Sequence, residues 1–364
     1  MPVYYCGSNV FGLVNPPDQL QLLEPALLPD CASLEAVSWS QLLARDADGT
    51  RRVCGLPLPN DFPLEPVARW LGHDDLVAAL LEDGRIKRLY DGAVSTGSYL
   101  LAEMNGRGEL LVVPDDDQGV THLYPNLDAL FPQFNADSPP PLRLVLPSPA
   151  LKGTSPASSS ASSSIRQRKE TITALSSGSA HFLLLSSTSQ VYSYGDSRYG
   201  QAGPSPSSSY HASTSPPLPP AAIPLNHLSF FDGLYPVQLA CGSFHSAVRT
   251  REGSVYLFGS DKDGQCGETS GGADPEMVDL DTDEGDEADE EVVQVACGGA
   301  HTVLLTESGK VWVAGANHHG ELGLGDTAPR PRFTRCSAIE RLAAPGRVRI
   351  ILCSRSGTFF ETAP

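Results

Sequence analysis

Cys297-Gly298-Gly299-Ala300-His301 opens a block that runs on through an apolar stretch, a turn at Gly309, the segment Val311-Trp312-Val313-Ala314-Gly315 and the turn Gly320-Glu321-Leu322-Gly323. The same three parts recur in the same order upstream. Cys241-Gly242-Ser243-Phe244-His245 leads to Val255-Tyr256-Leu257-Phe258-Gly259 and Gly264-Gln265-Cys266-Gly267; Ser177-Gly178-Ser179-Ala180-His181 leads to Val191-Tyr192-Ser193-Tyr194-Gly195 and Gly200-Gln201-Ala202-Gly203. Cys241 to Cys297 is 56 residues and Cys297 to Cys353 is 56 again. Val292 to Ala296, His301 to Thr306 and Lys310 to Ala314 are short β-prone runs between glycine-bearing turns, so each unit reads as an antiparallel sheet. Four-stranded units of this length repeated along a chain specify a ring of blades.

Fainter copies extend the count. Ser38-Trp39-Ser40-Gln41 through Gly49 to Cys54-Gly55 keeps the spacing between the strand-ending glycines. Trp70 to Tyr90 pivots on Asp83-Gly84, and Gly97 to Val113 pivots on Gly108, with Gly97 at the first glycine position. The seventh unit is split. Val348 to Glu361 begins a repeat that stops, and Val3-Tyr4-Tyr5-Cys6-Gly7-Ser8-Asn9-Val10-Phe11-Gly12 matches Val311 to Gly320 in register, Gly7 falling on Gly315. The expected fold is all-β: a seven-bladed propeller over 1–364, closed by pairing Val3–Cys6 with Thr358–Glu361, which removes the open sheet edges. Blades are expected near 35–58, 67–91, 93–114, 172–203, 236–267, 292–325, and 348–361 completed by 3–13. Residues 137–168 and 203–222, rich in Ser and Pro, and the acidic 270–291 are expected as disordered loops.

Composition agrees. The chain has 34 glycines and 31 prolines, suited to turns, and a net charge of −18. Asp274 to Glu291 holds eleven carboxylates and no basic residue. Such a balance does not make the basic surface that nucleic acid requires, so direct nucleic-acid binding is not expected. No basic leader with an apolar core follows Met1, and no run approaches eighteen apolar residues, so neither a secretory signal nor a membrane span is read. The eight cysteines contain no C-x-x-C pair and several sit at equivalent repeat positions, the usage of small hydrophobes in a reducing compartment. Nucleus or cytoplasm is expected.

These motifs resemble the regulator of chromosome condensation repeat family, whose unit carries a Cys/Gly-Gly-x-x-His strand start, an aromatic-x-x-Gly strand end and a Gly-Gln-Leu-Gly turn. The resemblance is strongest over 173–325 and weakest over 35–114. Units two and three lack the histidine, and unit four has Ser177 for the cysteine. It is closest in kind to the small tail-less members, such as the propeller that partners a Jumonji-type histone demethylase. The resemblance implies a seven-bladed toroid with Gly7, Gly178, His181, Gly195, Gly242, His245, Gly259, Gly298, His301 and Gly315 as its structural signature. It leaves three activities open: a non-enzymatic protein-interaction scaffold in a chromatin-related complex, a guanine-nucleotide exchange factor for a Ran-type small GTPase, and an accessory subunit in a tubulin-linked or tRNA-modification pathway.

No catalytic, cofactor or metal site is expected. His181, His245 and His301 fall at one position of three different blades, so they are spaced round the ring rather than convergent, and a metal requires convergent ligands. Neither a nucleophile elbow nor a phosphate-binding glycine loop occurs. Asp279, Asp281, Asp283 and Glu290 fall at positions 1, 3, 5 and 12 of a calcium loop, but Glu284 stands where position 6 requires glycine. Asp279, Asp281, Asp283, Glu284, Asp286 and Glu287 are instead read as an electrostatic docking strip for a basic protein, a histone-modifying enzyme or a small GTPase. The chain is expected to be monomeric.

Overall fold

Apolar runs of five or six residues between turns must be covered on both faces, and blades stacked face to face in a ring achieve this. The computed structural model describes residues 1–10, 20–28, 31–57, 65–116, 119–131, 140–147, 170–204, 223–267, 269–280, 290–343 and 348–363. These form seven sheets. Blade 1 comprises Cys31–Val37, Gln41–Asp46 and Arg51–Gly55; blade 2 comprises Val67–Leu71, Ala78–Leu81 and Ile86–Arg88. Blade 3 comprises Tyr99–Met104, Leu110–Pro114, Val120–Tyr124 and Leu142–Val145, with Ile223–Pro224 added in parallel at its outer edge. Blade 4 comprises Ile172–Ser177, His181–Ser186, Val191–Gly195 and Asn226–His227. Blade 5 comprises Pro236–Cys241, His245–Thr250, Val255–Gly259 and Gly272–Met277. Blade 6 comprises Val292–Cys297, His301–Thr306, Val311–Gly315 and Arg330–Arg335.

Blade 7 closes the ring. Its strands Val348–Ser354 and Gly357–Thr362 are joined by Val3–Ser8 and Gln21–Leu27. Val3 pairs with Glu361, Tyr4 with Phe360, Tyr5 with Phe359, Cys6 with Thr358 and Gly7 with Gly357, so the two chain ends share one sheet in the expected register.

The second strands are buried along their whole length in blades 4, 6 and 7, because each lies between two neighbouring blades. First strands of successive blades touch from blade 2 round through blade 7 to blade 1, which makes them the innermost ring. Each interface between blades has its own apolar cluster. That between blades 6 and 7 holds Val303, Val313, Leu322, Ile351 and Phe360, whereas that between blades 1 and 2 is reduced to Leu43, Leu76 and Leu89.

Several boundaries depart from the sequence reading. The span 93–114 covers just the first two strands of blade 3, which continues to Val145. Gly97 precedes the first strand, and Asn105 holds the loop between the first two, its Oδ1 accepting from the amides of Arg107 and Glu109 at 3.0 Å. Two stretches expected as disordered contain strands. Leu142–Val145 pairs with Val120–Tyr124 and buries Leu144, and Gly272–Met277 is the outer strand of blade 5. Gly272–Met277 is an edge strand, whereas Leu142–Val145 is flanked on its other side by Ile223–Pro224; in both, pairing rather than composition decides the state. Most of the remaining expected loop, including residues 148–169, 205–222 and 281–289, lies outside the described residues. Blades 1 and 2 show three named strands each among the described residues.

Candidate interaction site

Three histidines tie the ring together. His181 Nε2 lies 2.9 Å from Ser246 Oγ of blade 5, His245 Nε2 lies 2.9 Å from Thr302 Oγ1 of blade 6, and His301 Nε2 lies 3.1 Å from Thr358 Oγ1 of blade 7. Each hydroxyl in turn donates to a carbonyl of the Gly-Gln/Glu turn of the preceding blade: Ser246 to Gln201 at 2.8 Å, Thr302 to Gln265 at 2.7 Å and Thr358 to Glu321 at 2.7 Å. A hydroxyl has one proton, so having given it to the carbonyl it must accept from the ring. This fixes the Nε2–H tautomer and leaves Nδ1 bare, and Nδ1 of all three rings has no hydrogen-bond partner. All three are fully buried. The relays therefore join blades 4, 5, 6 and 7, and the histidines have no route to a substrate.

Burial disfavours the charged ring and pushes His181 down to about 4 and His245 to about 3, with His301 lowered too. The unfolded chain then binds more protons than the folded one below pH ~6.5, so stability is full above that value and falls as the pH drops toward 4, by up to ~1.4 kcal/mol per pH unit per histidine. Gln41 occupies the equivalent place in blade 1, accepting from the Leu76 amide of blade 2 at 2.6 Å. A His245→Gln variant should accordingly lose less Tm between pH 7 and pH 5 than the parent. An equal loss in both would show that this ring does not carry the acid sensitivity.

The loops between first and second strands bond to one another round the channel. Trp39 N–H donates to His73 O at 3.4 Å, Gly106 to Gly178 at 3.0 Å, Ser179 to Ser243 at 3.2 Å, Ser243 to Gly299 at 3.1 Å and Gly299 to Arg355 at 3.0 Å. These loops therefore share one face of the ring, with the Gly-Gln-x-Gly turns beside them. Charge is mixed there: Arg107 and Arg198 flank the nearly buried Asp196 at 2.9 and 2.8 Å, and Arg355 stacks 4.7 Å from the Trp39 ring.

The opposite face carries the turns between second and third strands, and it is acidic. Asp48, Asp83, Asp115, Asp116, Glu252 and Glu307 stand exposed on these turns, against Arg85 and Arg251. Asp279, also exposed, is on the connector from blade 5 to blade 6 at this face; Asp281, Asp283, Glu284, Asp286 and Glu287 lie outside the described residues. Glu290 is engaged by Lys310 at 2.6 Å and by Ser308 at 2.8 Å, a pairing that occupies the carboxylate a calcium loop would use. A groove of about 990 Å³ opens at the thin seam between blades 1 and 2, lined by Glu35, Arg51, Glu65, Arg69, Trp70 and Glu103 among others. Sequence reasoning missed this groove, since it arises from the absence of large apolar partners rather than from any motif. No group of three metal-ligating side chains occurs among the described residues.

Comparison with known proteins places this geometry. Models of the regulator of chromosome condensation (RCC1) repeat match residues 172–201, 237–265 and 292–321, and residues 252–305. The X-linked retinitis pigmentosa GTPase regulator homolog of Caenorhabditis elegans is 33% identical over 155 residues, 42% of this chain. The human X-linked retinitis pigmentosa GTPase regulator is 42% identical over 106 residues, 29% of this chain. In both cases the match spans 10% of the relative's length. Among solved structures, Prp20p of Saccharomyces cerevisiae superposes with a TM-score of 0.70 at 15% identity, over 99% of this chain and 90% of that one. Human WBSCR16 gives 0.64 at 17% identity over the whole of both chains. The chain is thus a seven-bladed β-propeller whose residues 172–321 carry regulator of chromosome condensation repeats.

Proposed function

We propose that this chain is a non-enzymatic interaction propeller, a subunit or adaptor in a chromatin-related complex, that presents its acidic face to a basic protein. The observation that carries the reading is the series of exposed carboxylates on the turns between second and third strands of five blades, while the histidines that could do chemistry are buried in relays between blades. A rigid ring holds such turns in fixed relation, and like charges on one face steer an oppositely charged partner. The solved Prp20p structure is described with its binding to Gsp1p and histones, which supports a partner of this kind. Asp279 and the carboxylates of 281–289 are proposed to extend the same face.

Immobilised histones H3 and H4 should retain the purified chain at low salt and release it as ionic strength rises. A variant with Asp115, Asp116, Glu252 and Glu307 changed to their amides, or one lacking 281–289, should be retained less. Recovery unaffected by salt and by both variants would overturn the acidic-face reading. The second reading is guanine-nucleotide exchange on a Ran-type GTPase, favoured by the GTPase regulators among the relatives. Faster release of mant-GDP from Ran at sub-stoichiometric amounts of the chain would reverse the order of the two.

A further inference from the structure

The innermost strand of every blade carries a β-bulge at its start. In blade 1 the pairing passes from Cys31 to Ser33 and omits Ala32; in blade 2 it omits Ala68, and in blade 3 Leu100. It omits Thr173 in blade 4, Val237 in blade 5, Val293 in blade 6 and Arg349 in blade 7. A bulge releases one residue from the ladder and re-aims it. Each first strand ends in the loop on the mixed-charge face, so its start, and the bulge, lie at the acidic face. The first strands line the channel, so the seven released residues surround its mouth there.

Their character is unusual for an exposed ring. Five of the seven are Ala32, Ala68, Leu100, Val237 and Val293. Leu100 is 43% exposed, Val237 38% and Val293 43%, and Ile350 beside Arg349 adds another 38% exposed apolar side chain. A recurring bulge explains itself as a device that twists the inner strand, and the device needs no apolar side chain. Leucine and valine facing water at three such positions are not accounted for by blade packing, and clustered exposed apolar groups mark contact sites. Ala68 also lines the groove between blades 1 and 2, so the collar and that groove are continuous.

We propose that this collar is the specificity element of the acidic face: it receives an apolar side chain of a protein segment whose flanking lysines or arginines meet the surrounding carboxylates. The proposal rests on the acidic-face reading above, which selects a basic partner. The collar adds a demand for an aliphatic residue within the basic segment. Transfer of a leucine side chain from water into such a mouth is worth about tenfold or more in affinity.

Two fluorescein-labelled peptides separate the ideas, Lys-Arg-Leu-Leu-Arg-Lys and Lys-Arg-Ser-Ser-Arg-Lys, each titrated by anisotropy at low salt. The leucine peptide is expected to bind about tenfold more tightly or better. A Val237→Ser, Val293→Ser double variant should abolish that advantage and leave the serine peptide unchanged; both side chains are exposed, so its Tm should match the parent's. Equal, salt-dependent binding of the two peptides to the parent would overturn the collar and leave the acidic face standing. Retention of the leucine preference by the double variant would also overturn it. Absence of salt-dependent binding by either peptide would remove the acidic face and the collar together.

Discussion

Gly298→Ala is expected to destabilise the ring by ~3 kcal/mol, and to do so through one neighbour. A Cβ built on Gly298 falls 2.0 Å from His301 Cε1 and 2.5 Å from its Nδ1, well inside contact distance. The ring cannot turn aside without losing Thr358, which itself holds the Glu321 carbonyl of the next turn. Gly178 and Gly242 meet their own histidines in the same way, at 2.2 and 2.0 Å, but each also meets a backbone carbonyl of the next blade. At Gly298 the three nearest atoms all belong to the imidazole, which makes it the cleaner probe. His301→Ala alone should cost ~2–3 kcal/mol, from a lost hydrogen bond and a cavity. In that background Gly298→Ala should cost less than ~1 kcal/mol, and the coupling, read from urea denaturation of the four chains, should exceed ~2 kcal/mol. Additive losses would show that the glycine is demanded by something other than the imidazole.

The spacing Gly-x-x-His is thus one steric statement rather than two motifs, and that is why it is visible in a single chain. Wherever the imidazole occupies the strand start, the glycine three residues before it has no freedom. Blades 1 to 3 solve the same junction differently. Gln41 takes the histidine's place, and in blade 3 Asn105 caps the loop. Without the histidine nothing pins the pattern, and the sequence reading of blade 3 slipped by one strand. The outer strands were missed for another reason. Gln21–Leu27, Gly272–Met277 and Arg330–Arg335 pair on one side only, are partly exposed, and contain Pro25, Pro275 and Pro331. A proline is tolerated at a sheet edge, where its missing N–H faces away from the ladder, so these strands have the composition of loops. The acidic run of 274–291 is legible as composition, but the carboxylates on the turns of the other blades and the bulges are not: a bulge leaves no mark in a sequence until its pairing partner is known.

Stability is distributed unevenly around the circle. Blades 4 to 7 are joined by three relays and large apolar clusters. The junction of blades 1 and 2 has three core leucines and relies on polar links, with Ser40 donating to Asp74 O at 3.0 Å and Trp39 N–H to His73 O at 3.4 Å. The groove opens where the packing is thinnest. A surface available for partners has been left where the ring needs it least for cohesion, and local opening, if followed by hydrogen exchange, should begin at this seam.

Tyr5→Ala is expected to be the most damaging single truncation in the closing strand, costing ~3–5 kcal/mol, a large share of the ~5–15 kcal/mol that holds a domain together. Blade 7 has Gly357 where blades 4, 5 and 6 have histidine: Gly357 pairs with Gly7 as His301 pairs with Gly315. The vacated space is filled from the other end of the chain. The Tyr5 ring carbon Cε2 and its hydroxyl lie 2.5 Å from where a Gly357 Cβ would stand, the ring packs 4.3 Å from that of Phe359, and the hydroxyl donates to the Ser8 carbonyl. Tyr5 is fully buried. Removing it uncovers Phe359 and loosens the seam between the two chain ends, which no backbone turn joins, so the ends separate before the other blades melt. Urea denaturation followed by tryptophan fluorescence reads the loss. Leu27→Ala on the neighbouring outer strand, whose side chain is 55% exposed, should cost below ~0.5 kcal/mol. A chain lacking residues 1–28 should lose cooperative unfolding and regain it when a peptide of those residues is added. Equal effects of Tyr5→Ala and Leu27→Ala would mean that closure is not what keeps the ring whole.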